Sequence, residues 1–124
     1  MKIKRFEELE VWQAARQLAR EVYELTEQQR LGKDWSLKDQ MRRAAISIMA
    51  NIAEGFERES NKDFRLFLNY SSASAAELKS HLYLALDVNY VSEEQFRELT
   101  ERLDSVAKQI KGFRKYLQNA QHSS

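Results

Sequence analysis

Proline is absent from all 124 residues, and glycine occurs only three times. The two residues that most often end or kink regular structure are nearly missing, so a periodic pattern can run far along this chain. The period is helical. Apolar residues return every three or four positions, and no segment keeps the two-residue alternation of a strand.

Four amphipathic stretches follow from that spacing. Val11, Trp12, Ala15, Leu18, Val22 and Leu25 form one stripe and predict a helix over about residues 7–30, with Gly32 as its terminator. A second helix is expected over 37–54, capped by Ser36 with Asp39 in a capping box and ended by Gly55. A third, over 61–88, starts at Ser60 or Asn61 and is expected to set Phe64, Phe67, Leu68, Ser71, Ala75, Leu78, Leu82, Ala85 and Leu86 on its core side. A fourth, over 93–118, starts at the Ser92–Gln95 capping box and is expected to bury Phe96, Leu99, Leu103, Val106, Ile110, Phe113 and Leu117. Connections this short join antiparallel neighbours. The expected fold is all-α, an antiparallel up-down-up-down four-helix bundle, in one domain spanning residues 1–124.

Composition removes several classes of function. There is no cysteine, which excludes disulfides, thiolate metal sites and a cysteine nucleophile. No apolar run approaches the roughly 18 residues of a membrane helix, and "MKIKRFEELEVW" lacks the apolar core of a signal peptide. A soluble, cytoplasmic protein without membrane contact is expected. Basic and acidic side chains number 20 and 19, so the chain lacks the basic excess of most nucleic-acid binders.

The stretch "RRAAISIMANIAEG" departs from a simple amphipathic helix. At about 100° per residue, Leu37, Met41, Ala44, Ala45, Ile48, Met49 and Ile52 cover one side, the expected core face. Gln40, Arg43, Ser47, Asn51 and Glu54 line up in a sector of roughly 80°. Beyond them Ile46, Ala50 and Ala53 turn apolar again, and the third helix repeats this with Leu66, Tyr70, Ala73, Leu84 and Val88. Apolar strips aligned on two adjacent helices mark a protein–protein surface, and a second copy of the chain is the economical partner.

The polar line itself argues against catalysis. Ser47 has no histidine base on its segment, and the chain carries neither a glycine-rich phosphate loop nor a paired metal motif. No enzyme activity, cofactor or metal is expected. Arg43 and Glu54 stand about three turns apart, too far to pair with each other, while Ser47 and Asn51 suit hydrogen bonds across a helix interface. A polar seam at a helix or subunit interface is the favoured reading. The alternatives are a solvated face and a ligand or nucleic-acid contact.

Three segments carry a family resemblance: "FEELEVWQAARQLAREVYELT", "LKDQMRRAAISIMANIAEGFERES" and "DFRLFLNYSSASAAELKSHLYLAL". The most specific piece is Gln40 to Gly55, read as Q-x-x-R-A-A-x-S-I-x-x-N-I-A-E-G. Over about residues 5–117 the chain resembles the four-helix-bundle proteins of the 23S ribosomal RNA intervening-sequence type. That resemblance implies a small cytoplasmic bundle that forms a homopentameric ring and has no enzymatic activity. Relatives that serve diversity-generating retroelements bind nucleic acid and a reverse transcriptase. The family's line maps onto Gln40, Arg43, Ser47, Asn51, Glu54 and Gly55. This chain departs from the pattern in its first connection, "EQQRLGKDW", which lacks a proline, and in "SSASAAEL", which replaces a Gly-Ser pair.

Weaker signals complete the reading. Lys108, Lys111 and Lys115 share an exposed face with Arg97 and are candidate phosphate contacts, although Asp104 falls among them. Helix-dipole compensation explains the same residues. Glu77 and His81 have ligand spacing, but two groups do not make a metal site. Two functions follow: a homo-oligomeric scaffold that binds RNA, DNA or a nucleic-acid-processing protein, or a protein-interaction module with no nucleic-acid contact.

Overall fold

The structure, a computed structural model, describes residues 2–123, and the side chains of residues 2–120. Those residues form five α-helices and one 3-10 turn, with no strand among them. After the turn at Phe6–Glu8 come α1 (Glu10–Thr26), α2 (Gln29–Lys33), α3 (Trp35–Phe56), α4 (Asn61–Asp87) and α5 (Glu93–Ser123). The four long helices enclose the core of a helical bundle. α3 packs on α1 and α4, α5 packs on α4 and α1, and α2 lies on α3.

The first expected helix is divided in three. Leu9 leaves the helical region at ψ 123°, which separates the Phe6–Glu8 turn from α1. A second break follows Thr26, where Gln29 takes a positive φ of 43°. The reason is Leu31, which is fully buried. In one continuous helix, six residues beyond Leu25 turn through about 600°, which would point Leu31 away from the stripe. The break redirects it inward, and its burial is worth about 1.5–3 kcal/mol. Gly32 is therefore not the terminator. It lies inside α2, where an added Cβ would sit 2.8 Å from the Glu27 carbonyl oxygen.

Other boundaries are also corrected. α3 is capped by Asp34, whose carboxylate accepts from the Leu37 amide at 3.1 Å, so Ser36 lies within the first turn. Asp34 also accepts from the Tyr90 hydroxyl at 2.9 Å, a partner 56 residues away that local spacing does not reveal. Gly55 does not end α3, which continues to Phe56. α5 runs to Ser123, beyond the expected limit near residue 118.

The remaining caps stand as read. Ser60 accepts from the Asp63 amide, and Ser92 and Gln95 exchange reciprocal bonds at 3.0 and 2.9 Å. Most of the expected stripes form the core: Leu18, Met41, Ile48, Leu68, Leu78, Leu82, Leu103 and Ile110 are all essentially inaccessible. Met49, Leu86, Phe96 and Phe113 are half-buried against it, and half-buried Phe67 meets Tyr70 instead. Asn89, at φ 61°, reverses the chain between α4 and α5, a conformation asparagine tolerates well. Arg30 holds that turn by donating to the Asn89 carbonyl at 3.0 Å.

Candidate assembly face and polar line

The centre of the polar line is a joint between helices. Ser47 and Asn51 are half-buried on α3. Asn51 Nδ2 donates to the Ser47 carbonyl and hydroxyl, both at 2.9 Å. From α4, Ser74 Oγ donates to Ser47 Oγ at 2.7 Å. One turn deeper, fully buried Ser71 donates to the Ile48 carbonyl at 2.8 Å. Satisfied polar groups at a helix contact favour one register, because a slip would leave them buried without partners.

The two ends of the line behave differently. Exposed Arg43 donates to Asp39 at 3.1 Å, one turn earlier. Glu54 accepts from Arg58 at 3.0 Å, four residues later. Both are surface pairs of i,i+4 type, worth about 0.3–0.5 kcal/mol each. Gln40 is exposed, and its side chain makes no hydrogen bond among the described residues. The five residues therefore do not converge on one point within the chain.

Beside the line lies an uncovered apolar strip. Ile46 on α3, Leu66, Tyr70 and Leu84 on α4, and Val88 just past its end are each between 40% and 49% exposed. Ala50 and Ala73 are exposed between them, while Ala53 is half-buried. Arg58 stands over the Phe67 ring at 4.5 Å, and Phe67 meets Tyr70 edge-on. These positions coincide with the second face read from the helical wheel.

A second cluster was not visible in the spacing. Arg42, adjacent to the polar line, turns toward α1. Its Nε donates to the buried Thr26 hydroxyl at 2.8 Å, and its guanidinium pairs with Glu27 and covers the Tyr23 ring at 4.2 Å. The hydrogen bond from Arg42, helped by the Lys38 charge, holds the Glu27 carboxyl below its ordinary pKa. Trp35 opens α3 on the same side and is 74% exposed. Nothing in the local pattern of a buried threonine names an arginine 16 residues away as its partner.

The basic candidates keep to α5. Arg97, Lys108, Lys111 and Lys115 are exposed, and none forms an ion pair among the described residues. Asp104, the acid among them, is drawn across to Lys79 of α4 at 3.0 Å. His81 Nε2 lies 3.6 Å from Glu77, and among the described residues no group of three or more His, Asp or Glu side chains is placed to hold a metal ion. No helix of the described residues is long and apolar enough to cross a membrane.

With this geometry in place, the comparisons with known proteins are specific. The family profile of the 23S rRNA-intervening sequence proteins matches residues 7–112. The chain belongs to that family. The matched range takes in the polar line, the apolar strip, the whole of α1 to α4 and most of α5. A solved structure of similar fold is a protein with unknown function from the S23 ribosomal protein family of Bacteroides thetaiotaomicron. It is 24% identical, covers 85% of this chain and 98% of its own, and superposes with a TM-score of 0.78. No curated protein is significantly similar to the chain.

Proposed function

We propose that this family member is a non-enzymatic scaffold that assembles with copies of itself through the α3–α4 face. The four long helices are read as an antiparallel up-down-up-down bundle. Support comes from Phe64 beside Phe113 and Tyr83 beside Phe96, which pair opposite ends of α4 and α5. Glu21 with Arg102 and Gln28 with Gln95 relate α1 to α5 in the same sense.

One observation carries the assembly: Ile46, Leu66, Tyr70, Leu84 and Val88 stay exposed on helices whose other faces are already packed. Covering such a strip with a second copy removes apolar area from water. In the assembly, Gln40, Arg43 and Glu54 border the contact, with Arg43 and Glu54 exchanging their weak local partners for groups on the neighbouring copy. The resemblance makes a ring of five the expected order and the cytoplasm the expected setting. Arg97, Lys108, Lys111 and Lys115, repeated around such a ring, would meet RNA or DNA, or the scaffold would hold a nucleic-acid-processing protein. The near-even charge favours a second reading, a protein-interaction module without nucleic-acid contact.

Light scattering at micromolar concentration tests the assembly. The expected mass is several times the 14.6 kDa of one chain, five times for the ring. Combined Arg43→Ala and Glu54→Ala should lower that mass or the melting temperature of the assembly. A monomer in the unaltered protein removes the assembly, and unchanged mass and melting in the double variant remove the role of the line. Binding to labelled RNA or DNA that weakens steeply with salt supports the scaffold reading, whereas no binding at low salt favours the module.

A further inference from the structure

Two cavities of about 530 and 340 Å³ lie in the seam between α1 and α5, and glutamates line both. Their one basic side chain, Arg102, pairs with Glu21. A third cavity, of about 320 Å³, lies between α1 and α3 and has the opposite character. Its apolar walls are Tyr23 of α1 and Trp35 and Ile46 of α3, and all three are exposed. Trp35 is the most exposed large apolar side chain among the described residues. It belongs neither to the core nor to the residues packed against it. Packing therefore gives no reason for an indole at this position.

The polar lining is cationic. Lys38, Arg42 and Arg43 bring three positive charges, against the single carboxylate of Asp39. The three differ in how firmly they are held. Arg42 is fixed by Thr26 and Glu27 and lies over the Tyr23 ring, so it is a wall of the hollow rather than a free charge. Lys38 is held loosely. Its Nζ lies 3.8 Å from Glu27 Oε1, beyond hydrogen-bonding reach, and Arg42 already occupies that oxygen. Arg43 keeps Asp39 only through an exposed pair four residues apart, a weak contact. Two cations can thus turn toward an anion at little cost. Sites for small ligands begin at about 300 Å³, so the hollow suits one compact group. An exposed aromatic face flanked by mobile cations is the pattern that stacks a base and neutralises its phosphate.

We propose that this hollow binds a nucleotide, its base stacked on Trp35 and its phosphate held by Lys38 and Arg43. Ile46 and Tyr23 complete the apolar walls, and Asp39, released by Arg43, accepts from an amino group of the base. A free nucleotide and an unpaired nucleotide within a single strand offer the same chemistry. A paired duplex does not, because its base faces are already stacked. The site is separate from the α5 cations and does not require the α3–α4 assembly. Ile46 and Arg43 border both the hollow and that face, so a second copy is the competing occupant.

Titration calorimetry at low salt tests the site with AMP, adenosine, ribose 5-phosphate and a single strand of about ten adenylates. AMP should bind at least about tenfold more tightly than adenosine or ribose 5-phosphate, since each lacks one of the two contacts. Trp35→Ala should weaken AMP about tenfold, and its exposure means that the variant should keep its helical signal. Lys38→Ala should weaken AMP by a similar factor yet leave adenosine unchanged, a split that misfolding does not produce. Arg43 is left intact, which keeps this test apart from that of the assembly. Amide shifts on titration should centre on Tyr23 and residues 35–46. Binding of the strand that exceeds AMP per site and is lost on pairing into a duplex assigns the ligand to single strands, and binding no tighter than AMP assigns it to the free nucleotide. No binding of AMP or the strand, equal binding of AMP, adenosine and ribose 5-phosphate, or shifts centred elsewhere would overturn the proposal. An affinity for AMP that falls as the protein is concentrated into its assembly would overturn it too, by giving the hollow to a second copy.

Discussion

The α3–α4 and α1–α5 seams join the same bundle in opposite ways. Between α3 and α4, small residues let the backbones approach. An added Cβ on Gly55 would lie 2.8 Å from both Phe64 Cδ1 and Phe67 Cβ, and Ser71 and Ser74 bond directly to α3. Between α1 and α5, glutamates and glutamines occupy the facing positions, and cavities remain. The difference is one of side-chain size and hydration. Small residues allow contact and hydrogen bonding across it. Long charged ones hold the helices apart, since burying them unpaired costs more than the packing returns.

The sharpest way to break this contrast is to add volume on each side. Gly55→Val should destabilise the protein by about 3 kcal/mol, because the ring and Cβ it meets belong to a packed helix. A denaturation midpoint unchanged by this substitution would show that the α3–α4 approach is not tight.

A smaller effect is expected from protonation in the open seam. Burial raises the pKa of Glu21, against the pull of the Arg102 guanidinium and the Gln17 amide, and the neighbouring Glu24 and Glu98 push the same way as burial. The folded state thus holds this proton more tightly than the unfolded chain. Its contribution becomes less favourable as pH rises from the ordinary value of 4.5 through the raised one. Relative to the wild type, Glu21→Gln should gain melting temperature near neutrality and show no gain in acid below 4.5. A gain that is the same at both pH values would remove the proton from the account.

The smallest change should come from Ser105→Leu, which projects into the 340 Å³ cavity. Stability should move by less than about 0.5 kcal/mol, or rise. A cost comparable to that of Gly55→Val would mean that the two seams are equally closed.

How far these seams could be read from residues alone depends on range. The α4 and α5 caps and most of each core stripe follow from local spacing, because capping and amphipathicity act over three or four positions. Ser47 and Asn51 stand out by residue type and spacing, and Ser74 donates to Ser47 across the helix contact. Boundaries failed where a distant partner decided them. Leu31 broke the first helix by being drawn into the core, and Asp34 displaced Ser36 as a cap while also holding Tyr90. Arg43 and Glu54, too far apart to pair with each other, each pair with a neighbour four residues away. The open α1–α5 groove left no local trace, since Glu21, Glu24, Glu98 and Glu101 read as an ordinary solvated face.

The two tryptophans differ in surroundings as much as the two seams do. Trp12 is 9% exposed and meets Phe6 edge-on at 5.1 Å, whereas Trp35 is 74% exposed at the start of α3. Their emission should separate, blue-shifted for Trp12 and red-shifted for Trp35. Quenching by iodide should reach the second long before the first. The unlabelled chain thus carries two optical reporters, one of core integrity and one of whatever comes to shield the Trp35 end of the molecule.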